Sequence, residues 1–318
     1  MKKIVIALGL IMSCATAVAQ SFPERAITVV VPYSAGGASD TVARAAGKQI
    51  TEATGQSVIV ENRPGGATVI GAQAVLAKPA DGYTAMLVAA SFVINPHLLE
   101  LPYDPDAAFQ PVALLASNPH VLVVNSSVPA NTLPEFLEWV KSRKGEATFS
   151  SFGNGSSGHI GFEMFKQMGD IDMIHVPYKG AAPATMAVLS GEVDATLADI
   201  GVIMPHLTAD NKVKAIAITG ENRAPTLPNV PTFKEAGMPD YFSQTWLGLW
   251  ARAEVPQDRV QRLNELFNDA MNTPEVKELL AQQGLSAGST TPAEFAEFAK
   301  NESQRYKAAI EKANIKIE

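Results

Sequence analysis

The residues of this sequence best suited to chemistry lie in two glycine-rich loops, each placed between an apolar run and a helical pattern. The first is residues 35–40 in the stretch VPYSAGGASD, and the second is residues 153–159 in the stretch SFGNGSSGH. Each loop offers backbone N–H groups at the positive end of a helix dipole, which suits an anion. Two such loops facing one cleft would hold a small carboxylate without a charged partner.

Taken alone, either loop is more simply explained as a tight turn, with Ser39 or Asp40 as a helix cap. The recurrence of strand, glycine loop and helix more than a hundred residues apart favours a shared site. In open α/β sheets, ligands bind beyond the carboxyl ends of the strands, where both loops would lie.

Three further residues follow predicted strands. In the loop 176–183, Tyr178 is placed to close over a ligand and Lys179 to attract an anion, although a lysine beside glycine is commonly a solvated surface residue. Asp199 ends another predicted strand and could accept from a ligand amine or hydroxyl, or cap the next helix.

The elements that must position these residues are predicted from alternating β-branched runs and helical patterns, which indicate parallel strands joined by helices. With 318 residues, 47% of them hydrophobic, the chain is expected to form two lobes. The apolar run 112–124, interrupted by Asn118-Pro119, is predicted to cross from one lobe to the other, and 244–251 to return. The predicted division is 20–120 plus 226–318 for the first α/β lobe with the C-terminal helices, and 121–225 for the second.

The predicted strands of the first lobe are 26–31, 57–60 and 84–89, and its helices are 41–54 and 69–77. The second lobe is predicted to have helices 133–142, 159–168 and 183–189 and strands 147–152, 173–177, 193–198 and 213–219. Two helices close the chain, 258–283 with a break at Pro274, and 292–313 opened by Thr291 and Pro292.

Residues 1–19 have the pattern of a secretory signal peptide, with Lys2 and Lys3, a short apolar run and the small-residue site Ala17-Val18-Ala19. We therefore expect an exported protein. Cleavage would remove Cys14, the only cysteine, and with it disulfides and thiol chemistry; lipidation of Cys14 is the weaker alternative. The formal net charge would change from -7 to -9, and no basic run interleaved with aromatics occurs, which argues against nucleic acid as a partner.

Seven motifs together resemble one family. They are VPYSAGGASD, ENRPGG followed by KPADGYT, SSFGNGSSGHIG, HVPYKGAAPA, GEVDATLAD, RAPTLPNVPTFKEAG and WLGLWARAEVP. In this order they resemble the Bug, or TctC-like, extracytoplasmic solute receptors of tripartite tricarboxylate transporters, over essentially the whole mature chain. The resemblance implies a type II-like, two-lobed α/β periplasmic binding protein that closes on a small organic carboxylate in the cleft between its lobes.

The resemblance also implies which residues bind the ligand, through backbone groups and ordered waters of the two loops. These are Tyr33, Ser34, Ala35, Gly36, Gly37, Ser39 and Asp40 in one lobe, and Gly153, Asn154, Gly155, Ser156 and His159 in the other. Tyr178 and Asp199 fall at positions that often complete the pocket. One departure is that the family commonly has Pro-Phe-x-Pro-Gly-Gly where this chain has Pro32-Tyr33-Ser34-Ala35-Gly36-Gly37, so the ligand should not be borrowed from any relative.

Three other kinds of function are less well supported. A serine-type hydrolase would need G-x-S-x-G, and the run from Gly155 to His159 has the wrong spacing. A metal site is not predicted because His97, His120, His159, His175 and His206 are scattered without ligand spacing. A phosphate or nucleotide site is the stronger rival, since glycine loops bind phosphates, but neither dinucleotide nor P-loop motif occurs.

The sequence therefore predicts a monomeric receptor, not an enzyme, without a cofactor. Ligand binding would favour the closed form, which a membrane transporter would read, for uptake or for signalling. Amino acid, dicarboxylate, tricarboxylate and aromatic carboxylate ligands all stay open. The absence of arginine from the loops favours a mono- or dicarboxylate over a citrate-like ligand, with Lys179 keeping the latter open.

Overall fold

A computed structural model describes residues 22–209 and 212–316, with the side chains of 208 and 209 excepted. The predicted signal peptide lies outside these residues. Within them the chain forms eleven α-helices and ten strands. The strands are β1 (Ile27–Val31), β2 (Val58–Asn62), β3 (Thr84–Ala89), β4 (Phe109–Asn125), β5 (Thr148–Ser151), β6 (Ile174–Pro177), β7 (Ala195–Asp199), β8 (Val213–Ile218), β9 (Gln244–Arg252) and β10 (Ser286–Ala287).

The helices alternate with these strands through most of the chain. They are α1 (Ala38–Thr54), α2 (Val69–Leu76), α3 (Ser91–Ile94), α4 (Pro105–Ala108), α5 (Leu133–Ser142), α6 (Ser157–Gly169), α7 (Ala181–Ser190), α8 (Ile200–Ala209), α9 (Gln257–Met271), α10 (Pro274–Gln282) and α11 (Pro292–Ala313). The predicted elements are confirmed, mostly to within a few residues at each end. Helices α3, α4 and α8 and strand β10 were not predicted.

Local chemistry explains several of these boundaries. Thr132, Thr273 and Thr291 each cap a helix whose first residue is a proline or is followed by one, as the sequence pattern indicates. Helix α1 ends at Gly55, which adopts a φ of 73°. Glycine closes a helix in this left-handed conformation at the lowest cost, because it has no Cβ to clash with the backbone.

The strands form one path with the order β2-β1-β3-β9-β4-β7-β5-β6, to which β10 and β8 add through β4. Strands β1, β2 and β3 are parallel to one another, and β9 and β4 continue the sheet antiparallel. Beyond β4, strands β7, β5 and β6 form a second set in which β5 is parallel to both its neighbours. The mixed α/β architecture predicted from the sequence is confirmed.

Strand β4 joins the two sets. Its 17 residues pair with β9 as far as Pro119, and with β7 from His120 onward. The Asn118-Pro119 dipeptide therefore does not interrupt the strand; it marks the point at which the strand changes partners.

Four buried apolar clusters cover the two faces of each strand set. Phe233, Met238 and Tyr241 pack with Phe149 and Phe165 in a cluster of the second set. The predicted lobe boundaries stay a prediction; because of this packing we propose that the second lobe extends to about residue 243, beyond the predicted limit at 225. Among the described residues, no helix has the length and apolar character required to span a membrane.

Candidate functional site

The carboxyl ends of the strands from both sets converge on one short stretch of β4. Ala89, at the end of β3, is aligned through Leu247 of β9 with Ala116. Asp199, at the end of β7, is aligned directly with His120. Four residues of an antiparallel strand cover about 13 Å, so the loops that follow these strands lie within reach of one small molecule.

The first glycine loop is attached to the sheet by Tyr33. The Tyr33 hydroxyl accepts the N–H of Ala89 at 2.9 Å and lies 2.8 Å from the Ser91 hydroxyl. Burial raises the pKa of Tyr33 above its ordinary value. Because these internal partners occupy the hydroxyl, the tyrosine that departs from the family pattern acts here as an anchor for the loop.

The Asp40 side chain is likewise bonded to other groups of the protein. It is buried, accepts the N–H of Gly36 at 2.9 Å, and pairs with Arg44 at 2.9 Å. The Arg44 guanidinium lowers the pKa of Asp40, so this carboxyl is ionised at neutral pH. The Gly36 N–H, one of the expected ligand donors, is thus already bonded.

The part of the first loop that is available to a ligand is the start of α1. Residues Ser34, Ala35, Gly36 and Gly37 are exposed, and Ser39 is buried. The helix begins at Ala38 with Gly37 as its N-cap, and no side chain caps it. The first-turn N–H groups have no acceptor within the helix, so they are the donors this loop can offer.

The second loop, like the first, leads from a strand into the start of a helix, but different hydrogen bonds hold it. Gly153 and Gly155 adopt φ values of 128° and 70°, which favour glycine. Ser156 caps α6 by accepting the N–H of His159, while His159 Nδ1 accepts the N–H of Gly155 at 3.2 Å. Asn154 is exposed at the tip. The N–H groups of Ser157 and Gly158, in the first turn of α6, have no acceptor within the helix.

A polar network that the sequence did not indicate lies where β4 changes partners. His120 is fully buried, with Nδ1 2.8 Å from Ser243 Oγ and Nε2 3.1 Å from Thr245 Oγ1. Thr245 donates to Asp199 at 2.9 Å and lies 3.2 Å from the hydroxyl of Ser157. Burial lowers the pKa of His120 to about 3, so its ring is neutral.

Asp199 is the titratable group of this network. Its side chain keeps 18% exposure and can still meet a ligand. Burial raises the pKa of Asp199 to about 6, opposed by the bond from Thr245. Its carboxyl can therefore accept from a ligand amine or hydroxyl when ionised, and donate to a carboxylate when protonated.

Tyr178 and Lys179 are less clearly placed for binding. The Tyr178 hydroxyl donates to Glu192 at 2.8 Å; burial and this bond raise the pKa of Tyr178 to about 12. That bond must break before the hydroxyl can donate to a ligand. Lys179 is exposed.

The residues that sequence reasoning missed are Ser91, His120, Ser157 and Thr245. Ser157 lies inside the second motif and could have been included on sequence adjacency alone. His120, Thr245 and Ser91 carry no local signal, because their roles depend on which strands are neighbours.

Two cavities lie away from the loops. One, of about 390 Å³, is lined by residues that include Phe92, His97, Phe109, Trp250 and Lys300; the other, of about 510 Å³, lies between α6 and the end of α11. Neither includes a residue of the glycine loops. Among the described residues, no group of three or more metal-ligating side chains is placed to hold an ion.

The fold and the paired loops define a class of protein, the two-lobed solute receptors. The family model for the tripartite tricarboxylate transporter family receptor matches residues 42–315, and this chain belongs to that family.

Similar proteins include BugT of Bordetella pertussis, 30% identical over 94% of this chain and 92% of that protein. Among solved structures, a protein of R. palustris with adipate is 30% identical, covers 93% of this chain and 99% of its own, and has a TM-score of 0.81. MatC from Rhodopseudomonas palustris with bound malate is 31% identical over 91% of this chain and all of its own, with a TM-score of 0.77. The predicted family is confirmed.

Proposed function

We propose that this receptor binds a small linear dicarboxylate in the cleft between its two strand sets and delivers it to a tripartite membrane transporter. The observation that carries the proposal is that both loops contact neighbouring positions of one part of the sheet. Tyr33 of the first loop accepts from Ala89, whose strand partner is Leu247, and Ser157 at the start of α6 lies 3.2 Å from Thr245, two residues before Leu247 on β9. Two separated sets of N–H donors suit a molecule with a carboxylate at each end.

The charges near the cleft support a dicarboxylate over a tricarboxylate. Arg44 is paired with Asp40, and Arg63 with Glu61 at 3.1 Å, so neither brings an unbalanced positive charge for a third carboxylate. Relatives about 30% identical over their whole length have been solved with adipate and with malate, both of which are dicarboxylates. Adipate and malate differ in the length of their carbon chains, so the length of the dicarboxylate that binds best is the property to measure for this protein.

Asp199 and Thr245 would form the polar wall between the two helix starts. A protonated Asp199 can donate to a ligand carboxylate, whereas an ionised one would repel it. An amino acid is the second candidate, because an ionised Asp199 would accept from its ammonium group. Tyr33, Asp40 and His159 would then act by holding the loops and not by direct contact.

We propose a monomeric, exported, periplasmic protein without catalytic activity, whose lobes correspond to the two strand sets and close on the ligand. The ligand would shift the equilibrium toward the closed form only through its tighter binding to that form.

A thermal-shift screen of the mature protein tests the ligand class. The panel would hold malate, succinate, glutarate, adipate, citrate, glutamate and benzoate, with phosphate and ATP as controls. A dicarboxylate at 100 times its dissociation constant should add about 2.7 kcal/mol to the free energy of unfolding. A shift with glutamate alone would replace the dicarboxylate by an amino acid, and a shift with phosphate or ATP alone would overturn the carboxylate proposal.

A further inference from the structure

Two histidines lie directly behind the second glycine loop. His159 belongs to the first turn of α6 and His175 to β6. Their rings are stacked, with centroids 3.9 Å apart and planes inclined by 9°. Only His159 was predicted as part of the site; His175 lies outside the loop in sequence.

His159 is bonded to the loop directly, and His175 is linked to it through Ser151 at the end of β5. His159 Nδ1 accepts the N–H of Gly155 at 3.2 Å. His175 Nε2 lies 2.6 Å from Ser151 Oγ, and the same oxygen accepts the N–H of Gly153 at 3.2 Å. The two rings therefore fix the two glycines whose left-handed conformations shape the loop.

The stack continues into the core and makes this arrangement rigid. His175 stacks on Phe149 at 4.9 Å, and Phe149 stacks on Phe162 at 4.0 Å. Phe149 and His175 are opposite each other on β5 and β6, while His159 and Phe162 are three residues apart on α6. Two rings of the helix thus pack on two rings of the sheet, which sets the position of the helix start.

Both histidines are neutral in this setting. Burial lowers the pKa of His159 to about 3, with smaller contributions from the His175 ring and from Lys166. Burial, and to a smaller extent Lys166, lower the pKa of His175 to about 4. The other charged groups facing Lys166 are Glu163 at 3.1 Å and Asp172 at 3.6 Å. A neutral His159 that accepts at Nδ1 carries its proton on Nε2, which fixes its tautomer.

We propose that His159 and His175 are positioning residues for the carboxylate site, holding the second loop so that its free N–H groups meet the ligand. The inference rests on the dicarboxylate function proposed above. It assigns His175 to the site and changes the role of His159 from ligand contact to loop support. The alternative is that the stack only stabilises the fold.

Three variants separate these roles. His159→Phe and His175→Phe keep a ring in the stack, but the first removes the bond to Gly155 and the second the bond to Ser151. Phe162→Leu is the matched control, because it weakens the same stack and leaves both bonds in place. Two measurements apply to all: the dissociation constants for adipate and malate by calorimetry, and the hydrogen-exchange rates of the Gly153 and Gly155 amides by NMR.

We expect His159→Phe to speed exchange of the Gly155 amide, and His175→Phe that of the Gly153 amide, each at least tenfold. Each variant should also weaken binding of the better probe by about tenfold, the effect of losing one positioning hydrogen bond. Phe162→Leu should lower the melting temperature without changing the dissociation constant.

The outcomes distinguish the two proposals. Wild-type protein that binds a probe while both histidine variants bind it equally well would overturn the positioning role. An unprotected Gly155 amide in the wild type would overturn it as well. Protection that depends on His159, in a protein that binds none of malate, succinate, glutarate and adipate, would support the loop assignment and refute the dicarboxylate function.

Discussion

Thr245 Oγ1 donates a hydrogen bond of 2.9 Å to Asp199 Oδ1 and so joins the start of β9 to the end of β7. The backbone partners of these two residues are Asn118 and His120, two positions apart on β4. The bond therefore spans the point where β4 changes partners, between the two glycine loops. A ligand held by both loops would lie against it.

The affinity for a dicarboxylate should fall as pH rises past about 6. Burial raises the pKa of Asp199 to about 6, so its carboxyl is protonated below this pH and repels an anion above it. A one-unit change in this pKa on binding would weaken affinity about tenfold between pH 5 and pH 7.5. Calorimetry across this range gives the slope directly.

Asp199→Asn is the control for this pH dependence, because it keeps a polar group of the same size without a charge. Its affinity should be nearly constant over the same range. Affinity that rises with pH in the wild type would indicate a ligand ammonium group beside Asp199 and would favour an amino acid.

Gly37→Val should abolish binding and leave the fold intact. A Cβ at Gly37 meets only the Ser34 carbonyl, at 3.6 Å, and the residue has an extended backbone with φ of -79°, so a side chain fits there. It would cover the first-turn N–H groups of α1 from the ligand. Titration with the ligand gives the dissociation constant of Gly37→Val, and Lys48→Val, an exposed change on the same helix, is the control. Unchanged affinity in Gly37→Val would mean that α1 is not part of the site.

Tyr33→Phe should lower the free energy of unfolding by roughly 1–3 kcal/mol, because the Ala89 N–H loses its acceptor. Ser91→Ala should cost less, since Tyr33 still accepts from Ala89. Urea unfolding of both variants gives the comparison. Equal stability of wild type and Tyr33→Phe would mean that water replaces the hydroxyl.

Gly201→Ala should destabilise the protein by roughly 1–3 kcal/mol, although alanine is the better helix former. A Cβ at Gly201 would overlap the backbone carbonyl of Gln283, and backbone cannot move aside as a flexible side chain can. This contact joins α8 to the segment after α10. Thermal unfolding measures it, and a stabilised variant would show that the two segments can separate freely.

Stability should fall as pH drops below 6.5, in part through His120. Burial lowers the pKa of His120 to about 3, so the unfolded chain binds a proton there before the folded one does. This contribution is complete above pH 6.5 and is lost between 6.5 and about 3, at a slope of at most about 1.4 kcal/mol per pH unit. Asp199 acts in the opposite direction between 3.8 and about 6.

The difference between wild type and His120→Asn isolates the histidine, because Asp199 is present in both. The pH slope of the unfolding free energy, measured by urea titration at several pH values, should be smaller in the variant. Identical slopes would show that the His120 ring is protonated in the folded protein or is not buried in solution.

The sequence by itself determined where most of the elements begin and end. The last helix was predicted at its observed bounds because Thr291 and Pro292 are a capping pair, and the strand Thr84–Ala89 because a β-branched and apolar run is bounded by turn residues. Helix α8 was missed, since Pro205 lies inside it and conflicts with a helical pattern. The two glycine loops were likewise predicted from local spacing.

Only the tertiary structure decided which donors of these loops are free. The Gly36 N–H is bonded to Asp40, and the Gly155 N–H to His159. Tyr33 is held by Ala89, and His120 meets Thr245 across 125 residues of chain. Such contacts follow from strand order and register, which depend on the summed packing of the whole sheet, whereas caps, turns and periodicity depend on neighbours a few residues away.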